Sequence, residues 1–512
     1  MLPLKLGGVD QFTAVREFLS QAGYSEPAAC RRLGVGRLHE YLKDNEQPAV
    51  APAAEGSDAL SVLLRVFLAG KSVSRDLVAG VIPSAVRESM EALGILCADP
   101  ADRERCYSPV VLYPVCGLYI ASDRWKSPDG SPISIDYVFP AIHVLTHDFL
   151  EFLPQTPCDK FLELCSGTAI AALWASQRYA RQSWAVDITE RAAQFGEFNR
   201  RLNQVSNSVV MQGDLYAPVS GMRFDRIVAH PPYVPALEPG AIYADGGDDG
   251  EFVTRAMVQG LPRFLAPHGR FYCQTMGVER EGEPFEQRVR QWLGAEQAAF
   301  DILLVVRRTQ GPAQFAYRAT RNKKGDWEQM DQWLAHLKKL KVKNLVYGWL
   351  IIQGKESERS AFTVRRQRGE HFAAAEVEWL RNWETTWAMP SSVELLLRSR
   401  PLAAANLELQ VVHAMRNGQL VPSKYTLRTT YPFDEEYECP AWVATLMAKC
   451  DGKTTSREHF EAGKRDKCIP VDMTDDQFAD TVGELVSRGI IEIEGFVPPR
   501  RTNAHAELLA GL

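Results

Sequence analysis

No Cys-x-x-Cys pair occurs anywhere in the 512 residues. The ten cysteines, Cys30, Cys97, Cys106, Cys116, Cys158, Cys165, Cys273, Cys439, Cys450 and Cys468, are scattered, so their spacing gives a zinc site no support. They are also too sparse for the disulfide framework of a small secreted domain. No segment reaches about 18 uninterrupted apolar residues, and the opening "MLPLKLGGVDQF" lacks a long apolar run. These absences predict no membrane association and a reducing, cytoplasmic setting. Strong charge of one sign is missing too: 58 basic residues stand against 64 acidic, a net charge of −6. Any attraction to nucleic acid must therefore be local. With 46% hydrophobic and 24% charged residues, disorder throughout is excluded.

The length predicts about three domains. Apolar residues recur at helical spacing over 10–43, giving an N-terminal helical segment at 1–45. The stretch "DNEQPAVAPAAEGS" (44–57) has no periodic apolar face and reads as a linker. Three helical stretches within 58–96 followed by "ERCYSPVVLYPVCGLYIAS", read as a β-hairpin, describe a winged-helix-like domain over 58–125. A similar series of three helices and a strand recurs near 440–496, inside a C-terminal domain at 356–512; compare "MEALGIL" with "LVSRGII". Winged helices bind nucleic acid, dock proteins or dimerise, so the pattern alone leaves the partner open. Between these ends, over 135–355, short apolar strands alternate with helical stretches: "KFLELC", "SWAVDI", "NSVVMQGD", "DRIVAHPP", "GRFYCQTM", "AFDILLVV" and "NLVYGWLII". Buried strands with helices between them predict an α/β domain with a mostly parallel sheet covered on both faces.

The chemistry gathers at the ends of those strands. "FLELCSGTAIAALWAS" runs from a strand through the small turn Ser166-Gly167-Thr168 into a helix, which lets a ligand approach the backbone at the carboxyl edge of the sheet. The second strand ends on Asp187, an acid placed to accept hydrogen bonds from both ribose hydroxyls of a nucleoside. The third ends on Asp214, near where an adenine would lie. The fourth runs into His230-Pro231-Pro232-Tyr233. Each feature alone has a plain structural explanation, since an Asp after a strand is most often a helix cap. Their order is the informative signal.

These motifs ("ELCSGTA", "AVDITERA", "FNRRLN", "GDLYAP", "HPPYVP" and "YADGGDDGEF", roughly residues 160–275) resemble the Rossmann-like S-adenosylmethionine methyltransferases, specifically the HemK-type glutamine methyltransferases and the related small rRNA methyltransferase domain. The resemblance implies a seven-stranded Rossmann-like core and S-adenosyl-L-methionine as cofactor. It would place Glu163, Cys165 and Gly167 against the methionine part, Asp187 at the ribose and Asp214 at the adenine. Ser166, Ile188, Leu215 and His230 complete the expected cofactor-binding set, and His230, Pro231 and Tyr233 form the expected catalytic set. The sequence departs from the family at Cys165 and Ala169, where glycine is usual, and at His230, where the family has Asn or Asp. An NAD enzyme competes for the turn but leaves the HPPY segment without a role.

The family's Asn or Asp, with the following proline carbonyl, accepts hydrogen bonds from a planar NH₂, and the tyrosine stacks on the planar group. A neutral His230 can accept through one nitrogen, can act instead as a general base toward a hydroxyl or amine, or can merely pack. Within "YADGGDDGEF", Gly246, Gly247 and Gly250 make a flexible turn whose aspartates cap a helix beginning near Glu251, with gating as the alternative. Residues 304–343 hold ten Lys or Arg and three acids, a local balance of +7, with Phe315, Tyr317, Trp327 and Trp333 interleaved. That is either an RNA track or an inserted helix with Trp327, Met330, Trp333, Leu334 and Leu337 packed inward. The expected activity is methylation of a nitrogen on a macromolecule, a protein side-chain amide or an RNA base. Methylation of a small metabolite and a degenerate cofactor- or RNA-binding module are the rivals. The oligomeric state is not legible.

Overall fold

The computed structural model describes residues 2–41, 55–125, 133–322, 326–355, 358–369 and 372–499. Most of the expected linker at 44–57, and Lys323 and Lys324 of the basic stretch, lie outside them.

Among the described residues the central sheet has eight strands. They are β1 (Cys158–Leu164), β2 (Ala180–Asp187), β3 (Ser208–Gln212), β4 (Phe224–Ala229), β5 (Leu265–Arg280), β6 (Phe300–Gln310), β7 (Val342–Gly354) and β8 (Thr363–Gln367). The spatial order is β3-β2-β1-β4-β5-β7-β6-β8. β7 runs antiparallel to both neighbours and the other pairs are parallel. This is the expected Rossmann-like core, with all seven expected strands present. β8 is an addition beyond the expected boundary at 355. It is anchored by the ion pair between Arg359 and Asp301, both fully buried.

Alternation along the strands builds two apolar layers. Phe161, Val228, Tyr272, Trp349 and Ile351 join one. Leu162, Ile227, Phe271, Leu350 and Ile352 join the other. Helices α1 (Ile170–Arg178), α2 (Glu190–Leu202), α3 (Phe252–Phe264) and α4 (Phe285–Trp292) help cover them. A helical hairpin, α5 (Pro312–Asn322) and α6 (Trp327–Lys339), is inserted between β6 and β7 over a small cluster of its own: Met276, Phe315, Trp333, Leu337 and Tyr347.

Toward the N-terminus, helices Ala59–Leu63, Arg75–Val81 and Ser84–Ala92 accompany a small sheet in which Arg105–Tyr107 lies between Val73–Ser74 and Cys97–Ala98. The stretch expected to be one hairpin is therefore divided. Arg105–Tyr107 belongs to that small sheet, whereas Val110–Val115 and Leu118–Asp123 form a separate hairpin. The reason is a better partner. Asn199 on α2 and Asn203, the residue that caps its end, lie one turn apart and bond the backbone of the hairpin's second strand as a neighbouring strand would. Ala121 N–H donates to Asn199 Oδ1 at 2.7 Å, and Asn199 Nδ2 donates to the Ala121 carbonyl at 3.1 Å. Tyr119 and Asn203 repeat the exchange at 2.8 and 2.7 Å.

The C-terminal part contains helices Ala374–Trp387, Ser392–Arg398, Ala441–Met447, Ser456–Arg465 and Asp475–Ser487. Between them lies an antiparallel sheet of Glu408–Arg416, Gln419–Thr429 and Glu435–Cys439 that the sequence reading did not anticipate. Its first hairpin turns at Asn417-Gly418, both with positive φ.

Candidate functional site

Strand order reverses at β1, which has β2 on one side and β4 on the other. In open α/β sheets, ligands bind in the crevice outside the carboxyl ends at such a switch point. Leu164 is paired with Ala229, so Cys165 and His230 leave the sheet side by side. A groove of about 750 Å³ lined by Cys158, Arg181, Asp225 and His268 lies at the opposite, amino edge and contains none of the expected site residues.

The turn after β1 has an unusual backbone. Cys165, Gly167 and Ala169 adopt φ of 52°, 50° and 62°, alternating with Ser166 and Thr168. A β-carbon at Gly167 would meet nothing within 4 Å, so open space lies over that residue. Ser166 is buried, yet its Oγ has no hydrogen-bond partner among the described residues. Ala169 is tolerated where the family has glycine because Gly196 of α2 faces it: a β-carbon at Gly196 would lie 3.2 Å from the Ala169 methyl.

Glu163 and Asp187 hold this turn in place. Both Glu163 oxygens accept from the first turn of α1, Oε1 from Ala171 N–H (3.3 Å) and Oε2 from Ala172 N–H (2.7 Å). Burial pushes the Glu163 pKa up to about 8, against the pull of these two amides. Asp187 accepts from Gly167 N–H through Oδ2 (2.8 Å) and from Thr189 N–H through Oδ1 (3.1 Å), linking the ends of β1 and β2. Burial raises its pKa as well. Next to it, Ile188 is 56% exposed, an apolar side chain standing open beside an acid. Asp214 is exposed, and Leu215 follows with φ of 43°. Gly213 N–H donates to the Asp187 carbonyl at 2.8 Å, so the ends of β2 and β3 are tied together.

At the end of β4, the His230 ring lies 5.8 Å from Phe149 and 5.7 Å from Tyr233, nearly parallel to the latter at 16°. Burial, with a smaller contribution from His143, lowers the His230 pKa to about 4, so the ring is neutral at physiological pH. Tyr233 continues the series with Tyr347 at 5.4 Å. Pro231 is buried, and among the described residues no backbone N–H donates to its carbonyl. The structure thus brings His230 beside Cys165, with Tyr233 against the His230 ring. It also adds residues the sequence reading missed. Phe149 comes from a helix preceding β1 (Val144–Phe152), and the fully buried Gln274 donates to the Tyr347 hydroxyl. A glutamine inside the apolar run "FYCQTM" was a usable signal for the second; nothing in the sequence pointed to the first.

The glycine-rich loop is fastened rather than free. Val234 N–H donates to the Ala244 carbonyl and Gly246 N–H to the Val234 carbonyl, at 2.9 and 3.0 Å. A β-carbon at Gly250 would sit 2.4 Å from the Tyr233 carbonyl oxygen. Asp249 accepts from Glu251 N–H at 3.0 Å, in line with a capping role. Glu251 itself is fully buried, ion-paired to Arg288 and accepting from Val278 N–H at 2.7 Å.

A family profile described as "Methyltransferase small domain" matches residues 142–294, the segment that carries the turn after β1, Asp187, Asp214 and His230-Pro231-Pro232-Tyr233. Over this segment the chain is similar to class I, HemK-type methyltransferase domains. Relatives of this segment include the ribosomal protein uL3 glutamine methyltransferase of Bradyrhizobium diazoefficiens, 29% identical over 164 residues, covering 29% of this chain and 51% of that protein. The release factor glutamine methyltransferase of Moorella thermoacetica is 32% identical over 127 residues, covering 22% of this chain and 45% of that one. The enzyme of the same name from Thermodesulfovibrio yellowstonii is 25% identical over 149 residues, covering 26% and 53%. The matched region thus spans about half the length of each relative. Among the described residues, no helix is long and apolar enough to cross a membrane.

Proposed function

We propose that the chain is an S-adenosyl-L-methionine-dependent methyltransferase that modifies a planar NH₂ group on a macromolecule, a protein side-chain amide or an RNA base. The observation that supports this reading is the Leu164–Ala229 pairing, from which Cys165 and His230 leave the sheet side by side. The turn fits the cofactor: it has open space over Gly167, an unpartnered buried Ser166 hydroxyl and an exposed Ile188 beside Asp187. In this assignment Glu163, Cys165, Ser166 and Gly167 hold the methionine part. Asp187 and Ile188 take the ribose side, and Asp214 and Leu215 the adenine. When bound, the cofactor supplies an electrophilic methyl group on a sulfonium.

The chain's own residues position the acceptor. A neutral His230 accepts one N–H through its unprotonated nitrogen, and the Pro231 carbonyl accepts the other. Orienting the lone pair in this way supplies much of the rate enhancement expected for an in-line displacement. A pKa near 4 makes His230 a weak base, which favours the acceptor role over deprotonation of a hydroxyl or amine. The names of the relatives, glutamine methyltransferases of a ribosomal protein and of release factors, support a protein amide as the acceptor. The winged-helix-like ends, in this reading, recognise the macromolecule that bears it. Incubating the purified chain and methyl-tritiated cofactor with fractionated extract tests the proposal. Label in the protein or RNA fraction is expected, and label confined to small molecules would refute a macromolecular acceptor.

A further inference from the structure

The inserted hairpin α5–α6 differs from an ordinary amphipathic pair. Its inner face behaves as helical spacing requires, with Phe315, Ala316, Trp333 and Leu337 buried. Trp327, expected inside, is instead 78% exposed, and Tyr317 is 53% exposed. Turning Phe315, Ala316 and Thr320 inward leaves Tyr317, Arg318 and Arg321 on the outer surface of α5. Among the described residues, no carboxylate lies within 4.0 Å of Arg318, Arg321 or Arg308.

This surface continues into the candidate site. Arg308, at the end of β6, lies 5.8 Å over the ring of Tyr347, which neighbours Tyr233. Partial burial, and then the nearby Arg318, hold the Arg308 pKa below its usual value, which marks two like charges brought close together. Arg307 is paired with Asp148, the residue before Phe149. Three exposed acids, Asp326, Glu328 and Asp331, lie on α6 and at its start, and Asp326 is engaged as the helix cap, accepting from Gln329 N–H at 3.1 Å.

Arginines without carboxylate partners suit phosphates, and exposed aromatic rings suit the faces of unpaired bases. A duplex would hide those faces, and an acidic peptide would use the arginines but leave the rings unused. We propose that the end of β6 and the α5–α6 hairpin form a track for unpaired RNA, with phosphates on Arg308, Arg318 and Arg321 and bases on Tyr317 and Trp327. This goes beyond the methyl-transfer reading and stands without it.

Fluorescence anisotropy of the full chain with a fluorescein-labelled unpaired RNA of about 16 nucleotides, without cofactor and across a potassium chloride series, tests it. Saturable binding is expected, weaker for the same sequence as a duplex. Trp327→Ala should weaken it roughly tenfold and Trp327→Phe should restore most of the loss. Arg318→Ala with Arg321→Ala should reduce the slope of log affinity against log salt by about 1.4, roughly 0.7 per lost phosphate contact. These side chains are exposed, so thermal melting should be unchanged. Absence of saturable binding at low salt, indifference to both sets of variants, equal affinity for the duplex, or equal competition by polyglutamate would each overturn the track. Cofactor affinity measured separately by calorimetry reports on the methyltransferase reading, so the two fail independently.

Discussion

His230 offers the sharpest perturbation. An unperturbed histidine titrates near 6.5, so about a quarter of the rings are charged at pH 7. With the pKa lowered to about 4 by burial between Phe149 and Tyr233, only about 0.1% are charged at that pH. A gap of roughly 2.5 units corresponds to about 3 kcal/mol between the protonation states. Two consequences have opposite visibility. Methyl transfer under single-turnover conditions should show no His230-dependent acid limb between pH 6 and 7, and His230→Asn should leave the shape of the profile there unchanged. Stability, in contrast, should depend on pH. As pH falls from about 6.5 toward 4, the unfolded chain takes up a proton at this position while the native chain does not. Native stability is therefore lost over that window, by at most about 3 kcal/mol. His230→Asn should remove that increment, seen as a smaller fall in melting temperature between pH 7 and pH 5. A transfer limb near pH 6.5 that disappears in His230→Asn would refute the argument, for it would mean the ring titrates normally and works as a base.

Other parts of the site make further demands. Gly167→Ala should cost about 1 kcal/mol of stability for its positive φ, yet reduce cofactor affinity at least about tenfold by calorimetry, because the added methyl enters the open space over the turn. Arg288→Ala leaves the buried Glu251 with only its longer ion pair to Arg255 at 3.6 Å and should destabilise the fold by about 3 kcal/mol, read as a drop in melting temperature. Asn199→Ala removes bonds to both backbone groups of Ala121 and to the Thr168 carbonyl; at about 1 kcal/mol each it should lower stability by about 3 kcal/mol.

The strand succession was legible because each of the seven expected strands is a short apolar run ending in turn residues, and burial on both faces leaves such runs few alternatives. The site was legible for a related reason: its residues occupy strand ends, where chain order and spatial order are linked by the parallel topology. What escaped notice depends on contacts distant in sequence. Phe149 lies 81 positions before His230, the ring it packs against at a tilt. The split between Arg105–Tyr107 and the hairpin at 110–123 is not legible because the hairpin's partner is a pair of asparagine side chains, which no strand pattern reveals. Trp327 was read inward because helical spacing marks a face but does not say how far around the helix the neighbouring strands reach. The Asn417-Gly418 hairpin, by contrast, carried an ordinary turn signal that had simply not been weighed.

Asn199 also has an architectural consequence. One side chain grips the edge strand of the N-terminal hairpin and, through Thr168, the backbone of the loop that opens the crevice. Arg191, near the start of the same helix, is ion-paired to Asp123 at the hairpin's end. Excising residues 142–294 as a fragment would strip both supports at once and uncover Phe198, whose ring packs 5.1 Å from Phe12. The amino-terminal third is thus a buttress for the crevice, and trimming it should yield an aggregating fragment rather than a smaller folded domain.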